Sequence, residues 1–288
     1  MERRYEVPGE IARLCGRLRR GGYEAYPVGG AVRDLVLGRS PGDWDVTTSA
    51  PPTMTAALFG SEARPTGLAH GTVTVDTDIG SVEITTFRRE GPYSDGRRPD
   101  WVVFVRDLFY DLIRRDFTMN AMALDADGTL IDPFGGADHL AQGVIRTVGD
   151  PNLRLREDGL RVFRALRFAA QLDFDLGEDE RAAIVSHPQW GNSVSPERVR
   201  MELEKGLCAR APERLEPLFA SGLMDRFLDR PVTPDWSGFA HLPTAPIPRW
   251  SALCAALREC GAVDDPAEFL RRLRVEKRTI RAVLEHLK

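Results

Sequence analysis

Lysine and cysteine are scarce in this sequence, and each scarcity narrows the classes of protein to which the chain can belong. Its 288 residues contain three lysines and 36 arginines. We attribute most of this imbalance to a GC-rich coding preference. The net charge of −4 gives no overall positive field that would attract a polyanion. An arginine therefore indicates a functional site only through its position.

The four cysteines lie far apart, with no C-x-x-C pair and no histidine at metal-ligand spacing. This pattern argues against a zinc site and favours free thiols in a reducing compartment. The first 18 residues are too charged for a signal peptide. No run of about 18 apolar residues predicts a membrane span. We expect a cytoplasmic protein with no membrane partner, and nothing in the sequence indicates an oligomeric state.

The character of the chain changes near its middle. Residues 1–150 alternate short strand-like and helix-like segments, with a hairpin pattern over 70–88. The hydrophobic period afterwards is helical, including a helix expected over 157–171. We predict an α+β head with a small mixed sheet (1–150), a helical neck (151–222) and a short helical body or tail (223–288).

The stretch "GGAVRDLVLGRSPGDWDV" (29–46) is neither a P-loop nor a dinucleotide-binding fingerprint. It contains Asp43 and Asp45, which a strand would present on the same face. Two adjacent carboxylates repel unless they share a cation, and Mg²⁺ favours carboxylate and phosphate oxygens. Two such ions can bind the attacking and the leaving oxygens of a phosphoryl transfer. Solvated turn aspartates are the simpler alternative.

Neighbouring residues favour the phosphate-chemistry interpretation. Gly29 and Gly30 precede a predicted helix, so their bare N–H groups can approach a triphosphate. Arg33 lies one turn into that helix, near the same anion. Glu83, on the return strand of the predicted hairpin, is a candidate third metal ligand. It is equally well explained as a solvent-facing strand residue.

The segment "EDGLRVFRALRF" (157–168) places three arginines on one helix face, opposite an apolar face. They are Arg161, Arg164 and Arg167. A solvated charged face is the common explanation of such a pattern, but those faces usually mix signs, and no acid lies between these arginines. A nearby anion such as a triphosphate explains the arrangement better.

Asp158 lies about 60° from Arg161 on the same helical wheel. A carboxylate accepts hydrogen bonds and a guanidinium donates them. Together they match the amine and unprotonated ring nitrogen that cytosine and adenine share, and they reject guanine and uracil. Each such contact discriminates by about 1–3 kcal/mol. The pair predicts selection of CTP and ATP without a nucleic-acid template.

Taken together, residues 26–210 resemble the class II tRNA nucleotidyltransferases, the CCA-adding enzyme and poly(A) polymerase family of the polymerase-β-like superfamily. Five motifs occur in the family's order. They are "VGGAVRDLVLGRSPGDWDV", "REGPYSDGRRPD", "RRDFTMNAMALD", "EDGLRVFRALRF" and "SPERVRMELEKGL".

The resemblance implies a polymerase-β-like head and Mg²⁺-dependent addition of C and A to the tRNA 3′ end, with pyrophosphate release. It places Arg114 near the nucleotide phosphates, and gives nucleotide-binding roles to the aspartate and three arginines of the fourth motif. The loop at 89–100 resembles the family's flexible loop, which helps to switch nucleotide and is incomplete in CC-adding forms. Addition of A alone, after a separate CC-adding enzyme, is the alternative.

The sequence departs from the family pattern in two places. Pro27 replaces an aliphatic strand residue, and the region after the neck is shorter than in many members, which puts the grip on tRNA in doubt. Two other classes stay open: a nucleotidyltransferase acting on a small molecule, and a non-catalytic tRNA-binding module. The first has no need of a C/A-selective pair, and the second has no need of both aspartates.

Overall fold

The computed structural model describes residues 3–68 and 71–287. The chain divides into two compact units. The first comprises the described parts of Met1–Pro92, Pro99–Gln142 and Arg146–Gly149. The second comprises those of Tyr93–Arg98, Gly143–Ile145 and Asp150–Lys288. Within the described residues, no helix has both the length and the apolar character needed to cross a membrane.

The first unit combines short helices with most of the strands. Its elements are α1 (Gly9–Arg20), β1 (Ala25–Val28), α2 (Gly30–Val36), β2 (Asp45–Thr48), α3 (Pro52–Phe59), β3 (Ala63–Gly67), β4 (Thr72–Thr77), β5 (Gly80–Thr86), β6 (Arg88–Glu90), β7 (Val102–Phe104), α4 (Leu108–Ile113), β8 (Ala123–Leu124), β9 (Leu130–Ile131) and α5 (Gly136–Gln142).

Seven of these strands form one sheet in the order β3-β4-β5-β2-β1-β8-β9. Strands β2 and β5 pair in parallel, and the other neighbours pair antiparallel. Strands β4 and β5 form the hairpin expected over 70–88, of which residue 70 lies outside the described part. The predicted α+β class with a small mixed sheet is confirmed.

Helix α1 packs its apolar side against residues of the seven-stranded sheet. Its apolar residues recur every three or four positions, so they form one stripe, and Ile11, Leu14, Cys15 and Leu18 are buried. They share a core with Val46 of β2 and other strand residues. This core supports the end of β2 at which the predicted metal ligands lie.

The second unit is predominantly helical. Its elements are β10 (Val144–Ile145), α6 (Pro151–Glu157), α7 (Leu160–Leu172), β11 (Asp175–Leu176), α8 (Glu178–Ser186), α9 (Pro196–Leu207), α10 (Glu216–Ala220), α11 (Pro246–Glu259), α12 (Pro266–Arg272) and α13 (Lys277–His286). The neck and body limits predicted at 151–222 and 223–288 stay predictions.

The continuous helix expected over 157–171 was wrong at its start. Helix α6 ends at Glu157, Asp158 is extended, and α7 begins at Leu160. The Asp158 carboxylate accepts a hydrogen bond from the Leu160 N–H at 3.0 Å, a capping contact that competes with helix continuation. A Cβ on Gly159 would lie 2.0 Å from the Trp190 carbonyl oxygen, so the close approach of these two backbone segments requires glycine at residue 159.

Candidate active site

The turn between β1 and α2 requires glycine at residue 29. Gly29 has φ of +78°, a region that L side chains rarely adopt. A Cβ on Gly29 would lie 3.2 Å from Arg115 Nη1 and 3.7 Å from Asp45 Oδ2. The bare backbone predicted for this turn therefore lies between a carboxylate and a guanidinium. Gly30, the next residue, begins α2.

The carboxylates lie at the start of β2. Asp43 and Asp45 are exposed, and Trp44 between them is 7% exposed; Asp43 and Trp44 precede the strand, which begins at Asp45. Asp45 is in register with Glu83 on the parallel strand β5. Desolvation by the protein around its carboxylate raises the pKa of Asp45. Arg115 opposes this shift, and the charges of Glu83 and Asp43 add to it.

This donor set fits a hard divalent cation. Carboxylate oxygens are the ligands that Mg²⁺ prefers, and a cation would relieve the repulsion among Asp43, Asp45 and Glu83. Across residues 3–68 and 71–287, no three histidine, cysteine, aspartate or glutamate side chains are grouped to hold a metal ion. The roles of Asp43, Asp45 and Glu83 as metal ligands stay predictions.

Arg33 is fixed by polar contacts on α2. Its Nε and Nη2 donate to Asp34 at 3.0 and 2.8 Å, and its Nη1 donates to Asn120 Oδ1 at 3.0 Å. Asn120 in turn donates to Asp116 at 3.1 Å. The guanidinium therefore has a defined orientation.

Arg114 is engaged in a buried ion-pair network. It donates to Asp111 Oδ1 at 3.0 and 2.7 Å and to Glu90 at 3.2 Å. Its neighbour Arg115, which donates to the other oxygen of Asp111 at 3.1 Å, is the arginine beside Gly29 and Asp45. Sequence reasoning selected Arg114 and missed Arg115. The available signal was the Arg114–Arg115 pair itself. Two consecutive residues at the end of a helix point in different directions, so either arginine could have faced the site.

Asp158 and Arg161 meet through their backbones, where the Arg161 N–H donates to the Asp158 carbonyl oxygen at 2.8 Å, while their side chains have other partners. Asp158 accepts two hydrogen bonds from Arg198, at 3.3 and 3.0 Å. Arg161 donates to Glu157 and to the Arg154 carbonyl oxygen, the latter at 2.7 Å. Asp158 lies outside α7, so an angle read from one continuous helical wheel does not apply to it. Recognition of a base edge by Asp158 and Arg161 stays a prediction.

Arginines of α7 contact acidic and aromatic side chains of the second unit. Arg167 pairs with Glu202 of α9, and Arg161 pairs with Glu157. The Arg164 guanidinium lies 5.3 Å from the centre of the Phe168 ring. Glu157 and Glu202 lie outside the stretch between the arginines, so a count of acids within that stretch does not find them. Binding of a nucleotide anion by these arginines stays a prediction.

Sequence reasoning also missed Arg198 and Glu202. They stand four residues apart in "SPERVRMELEKGL", so α9 presents them on one face. That spacing was the signal that could have identified them as partners of the preceding motif.

Comparison with known proteins gives two family matches within the chain. The family described as the poly(A) polymerase head domain matches residues 25–146. The family described as "Probable RNA and SrmB-binding site of polymerase A" matches residues 173–235. Fold and site define a nucleotidyltransferase head of the polymerase-β-like class, followed by a helical region.

Three relatives identify the family within that class. CCA-adding enzymes of Geobacillus thermodenitrificans and Geobacillus stearothermophilus are 44% and 42% identical, over 93% and 94% of this chain and 66% and 67% of their own. The crystal structure of the Bacillus stearothermophilus CCA-adding enzyme in complex with CTP is 39% identical, with a TM-score of 0.82, over 96% of this chain and 68% of that one. The chain belongs to the CCA-adding enzyme family, and it spans about two thirds of the length of these relatives.

Proposed function

We propose that the protein adds C and A nucleotides to the 3′ end of tRNA from CTP and ATP, without a template and with release of pyrophosphate. The observation that carries this proposal is the Asp43–Asp45 pair beside the Gly29 turn. It occurs in a chain 44% identical to a CCA-adding enzyme. The related Bacillus stearothermophilus enzyme was crystallised in complex with CTP.

The first unit would carry the chemistry. Asp43 and Asp45 would hold Mg²⁺, which when bound neutralises phosphate charge and favours ionisation of the attacking hydroxyl. The backbone of Gly29 and Gly30 leaves room for phosphate oxygens, and Arg33 would hold their charge. Catalysis would then rest on positioning and preorganised charge rather than on a covalent intermediate.

The second unit would select the base. Asp158 offers acceptors and Arg161 offers donors, the combination that cytosine and adenine match. Since Arg198 and Glu157 bond to these groups, the base would share or displace those partners. The family resemblance assigns Arg114, Arg164 and Arg167 to nucleotide binding, and we retain that assignment as part of the proposal.

Complete CCA addition is favoured over addition of A alone. The relatives are named CCA-adding enzymes, and the loop "REGPYSDGRRPD" contains the residues expected for nucleotide switching. The proposed partners are the tRNA 3′ end and the two nucleotides, with residues 223–288 contacting the tRNA. We propose that this activity is cytoplasmic, as the sequence predicts.

The decisive assay uses three tRNA transcripts, ending before CCA, after C and after CC. Each is incubated with Mg²⁺ and with CTP, ATP or both. Incorporation of C into the two shorter transcripts and of A into the third supports CCA addition. Incorporation of A alone supports the A-adding alternative, and no incorporation contradicts both.

Replacement of one carboxylate tests the metal assignment. Asp45→Asn removes a charge with little change in size, and we expect nucleotide addition to fall by about a hundred- to a thousandfold, in line with losses on removing key transition-state stabilisers. Asp78→Asn, in the exposed β4–β5 turn, is the matched control and should keep wild-type rates. An active Asp45→Asn variant would contradict the metal assignment.

A further inference from the structure

A buried carboxylate lies behind the candidate active site. Asp111 of α4 is 0% exposed. It accepts hydrogen bonds from Arg114 at 3.0 and 2.7 Å through one oxygen, and from Arg115 at 3.1 Å through the other. Burying a charge costs free energy unless the charge is paired and hydrogen-bonded. Removal of the Asp111 carboxylate would therefore leave Arg114 and Arg115 without one of their acidic partners.

The same carboxylate contacts the strand that carries Asp45. The Thr47 hydroxyl lies 3.1 Å from Asp111 Oδ2. Thr47 follows Asp45 by two residues on β2, so the two side chains share a face of the sheet. Asp111 therefore ties Arg115 to the strand of the proposed metal ligand.

Arg115 extends from this anchor toward the site. Its Nη1 lies 3.5 Å from the Asn120 carbonyl oxygen and 3.2 Å from the point where a Cβ on Gly29 would stand. Asp45 Oδ2 lies 3.7 Å from that same point. The guanidinium and the carboxylate thus both border the space that the glycine leaves free.

We propose that Asp111 is a positioning residue for nucleotidyl transfer, and that it holds Arg115 beside Asp45 as a fixed cation facing the phosphates. This inference rests on the proposed function. Negative charge that develops on the α-phosphate in the transition state is stabilised best by a cation that does not have to reorganise. Asp111 itself touches no reacting atom. It acts through the orientation of Arg115.

The test is a double-mutant cycle with Asp111→Asn, Arg115→Gln and the double variant. For each variant, the steady-state incorporation of CMP from CTP into a transcript ending before CCA is measured. We expect each single variant to lower kcat by roughly ten- to a hundredfold, the scale of a small misplacement of a catalytic group. KM for CTP should change by less than about threefold, because the contact is realised mainly in the transition state.

The double variant distinguishes positioning from general stability. If Asp111 acts through Arg115, the double variant is no slower than Arg115→Gln to within about threefold, whereas independent effects multiply. Asp76→Asn, an exposed carboxylate paired with Arg64 in the same unit, is the charge-matched control and should retain wild-type kcat. Multiplicative losses, or a wild-type kcat in Asp111→Asn, would overturn the inference.

A second variant covers failure of Asp111→Asn to fold. Arg115→Lys keeps the charge but loses the planar fork that spans Asp111 and Asn120. It should lose kcat almost as fully as Arg115→Gln, and a wild-type kcat would overturn the inference. An active wild type with unaffected variants rejects this inference alone, whereas an inactive wild type rejects the proposed function and the inference with it.

Discussion

At the scale of single residues, the candidate site depends on one backbone conformation. Gly29 combines a positive φ with close approach to Arg115 and Asp45. Gly38 offers a natural comparison, because it has φ of +70° but no atom within 4 Å of its missing Cβ. The two glycines share a conformational requirement and differ in their surroundings.

This comparison yields a prediction about alanine substitutions. Gly29→Ala and Gly38→Ala should each lower the free energy of unfolding by about 1–2 kcal/mol, the cost of the left-handed region for an L residue. Only Gly29→Ala should also lose nucleotide addition, by at least about tenfold, because its methyl group displaces Arg115. Denaturant titration and the transcript assay separate the two effects. Equal activities would refute the role of the turn.

At the scale of elements, the pairing of α7 with α9 depends on a buried ion pair as well as on apolar contacts. Arg167 and Glu202 are each 7% exposed, and the Arg167 guanidinium also lies 3.8 Å from the centre of the Phe168 ring. Helix α9 therefore supplies the counter-charge that α7 lacks in its own sequence.

Removing that counter-charge should destabilise the second unit. We expect Glu202→Ala to lower the free energy of unfolding by about 3–5 kcal/mol, since it strands a buried guanidinium. Glu197→Ala, at an exposed position in the first turn of the same helix, should cost less than about 1 kcal/mol. Urea denaturation followed by circular dichroism measures both, and similar costs would show that the pair contributes little.

At the scale of the whole molecule, the reactivity of two buried thiols, one in each unit, measures whether that unit is folded. Cys15 belongs to the first unit and Cys254 to the second, and both are buried free cysteines. Burial raises the pKa of each thiol to about 12, with Arg19 and Arg258 respectively opposing the shift. The native thiols are therefore protonated at neutral pH and poorly reactive.

The direction of these shifts fixes the pH dependence. In the folded state the pKa of each thiol lies above its unfolded value of about 8.5. Burial of the protonated thiol therefore contributes fully to the free energy of unfolding below pH 8.5, and this contribution is lost as the pH rises toward 12. We expect Cys15 and Cys254 to resist alkylation at pH 8 in native buffer and to react in denaturant, as mapped by mass spectrometry. Rapid native labelling of either would contradict its burial.

The sequence by itself determined the α+β class and the family. Two-residue alternation and turn residues are local properties, so the β4–β5 hairpin could be predicted. The order of the motifs along the chain is likewise a property of the sequence, and it was enough to indicate the family.

Only the tertiary structure decided which charged groups meet. Asp158 contacts Arg198, Arg167 contacts Glu202, and Arg115 rather than Arg114 borders Gly29. The first two pairs join residues 35 to 40 positions apart. Local periodicity carries no information about such partners, because long side chains pair according to where packing places their elements.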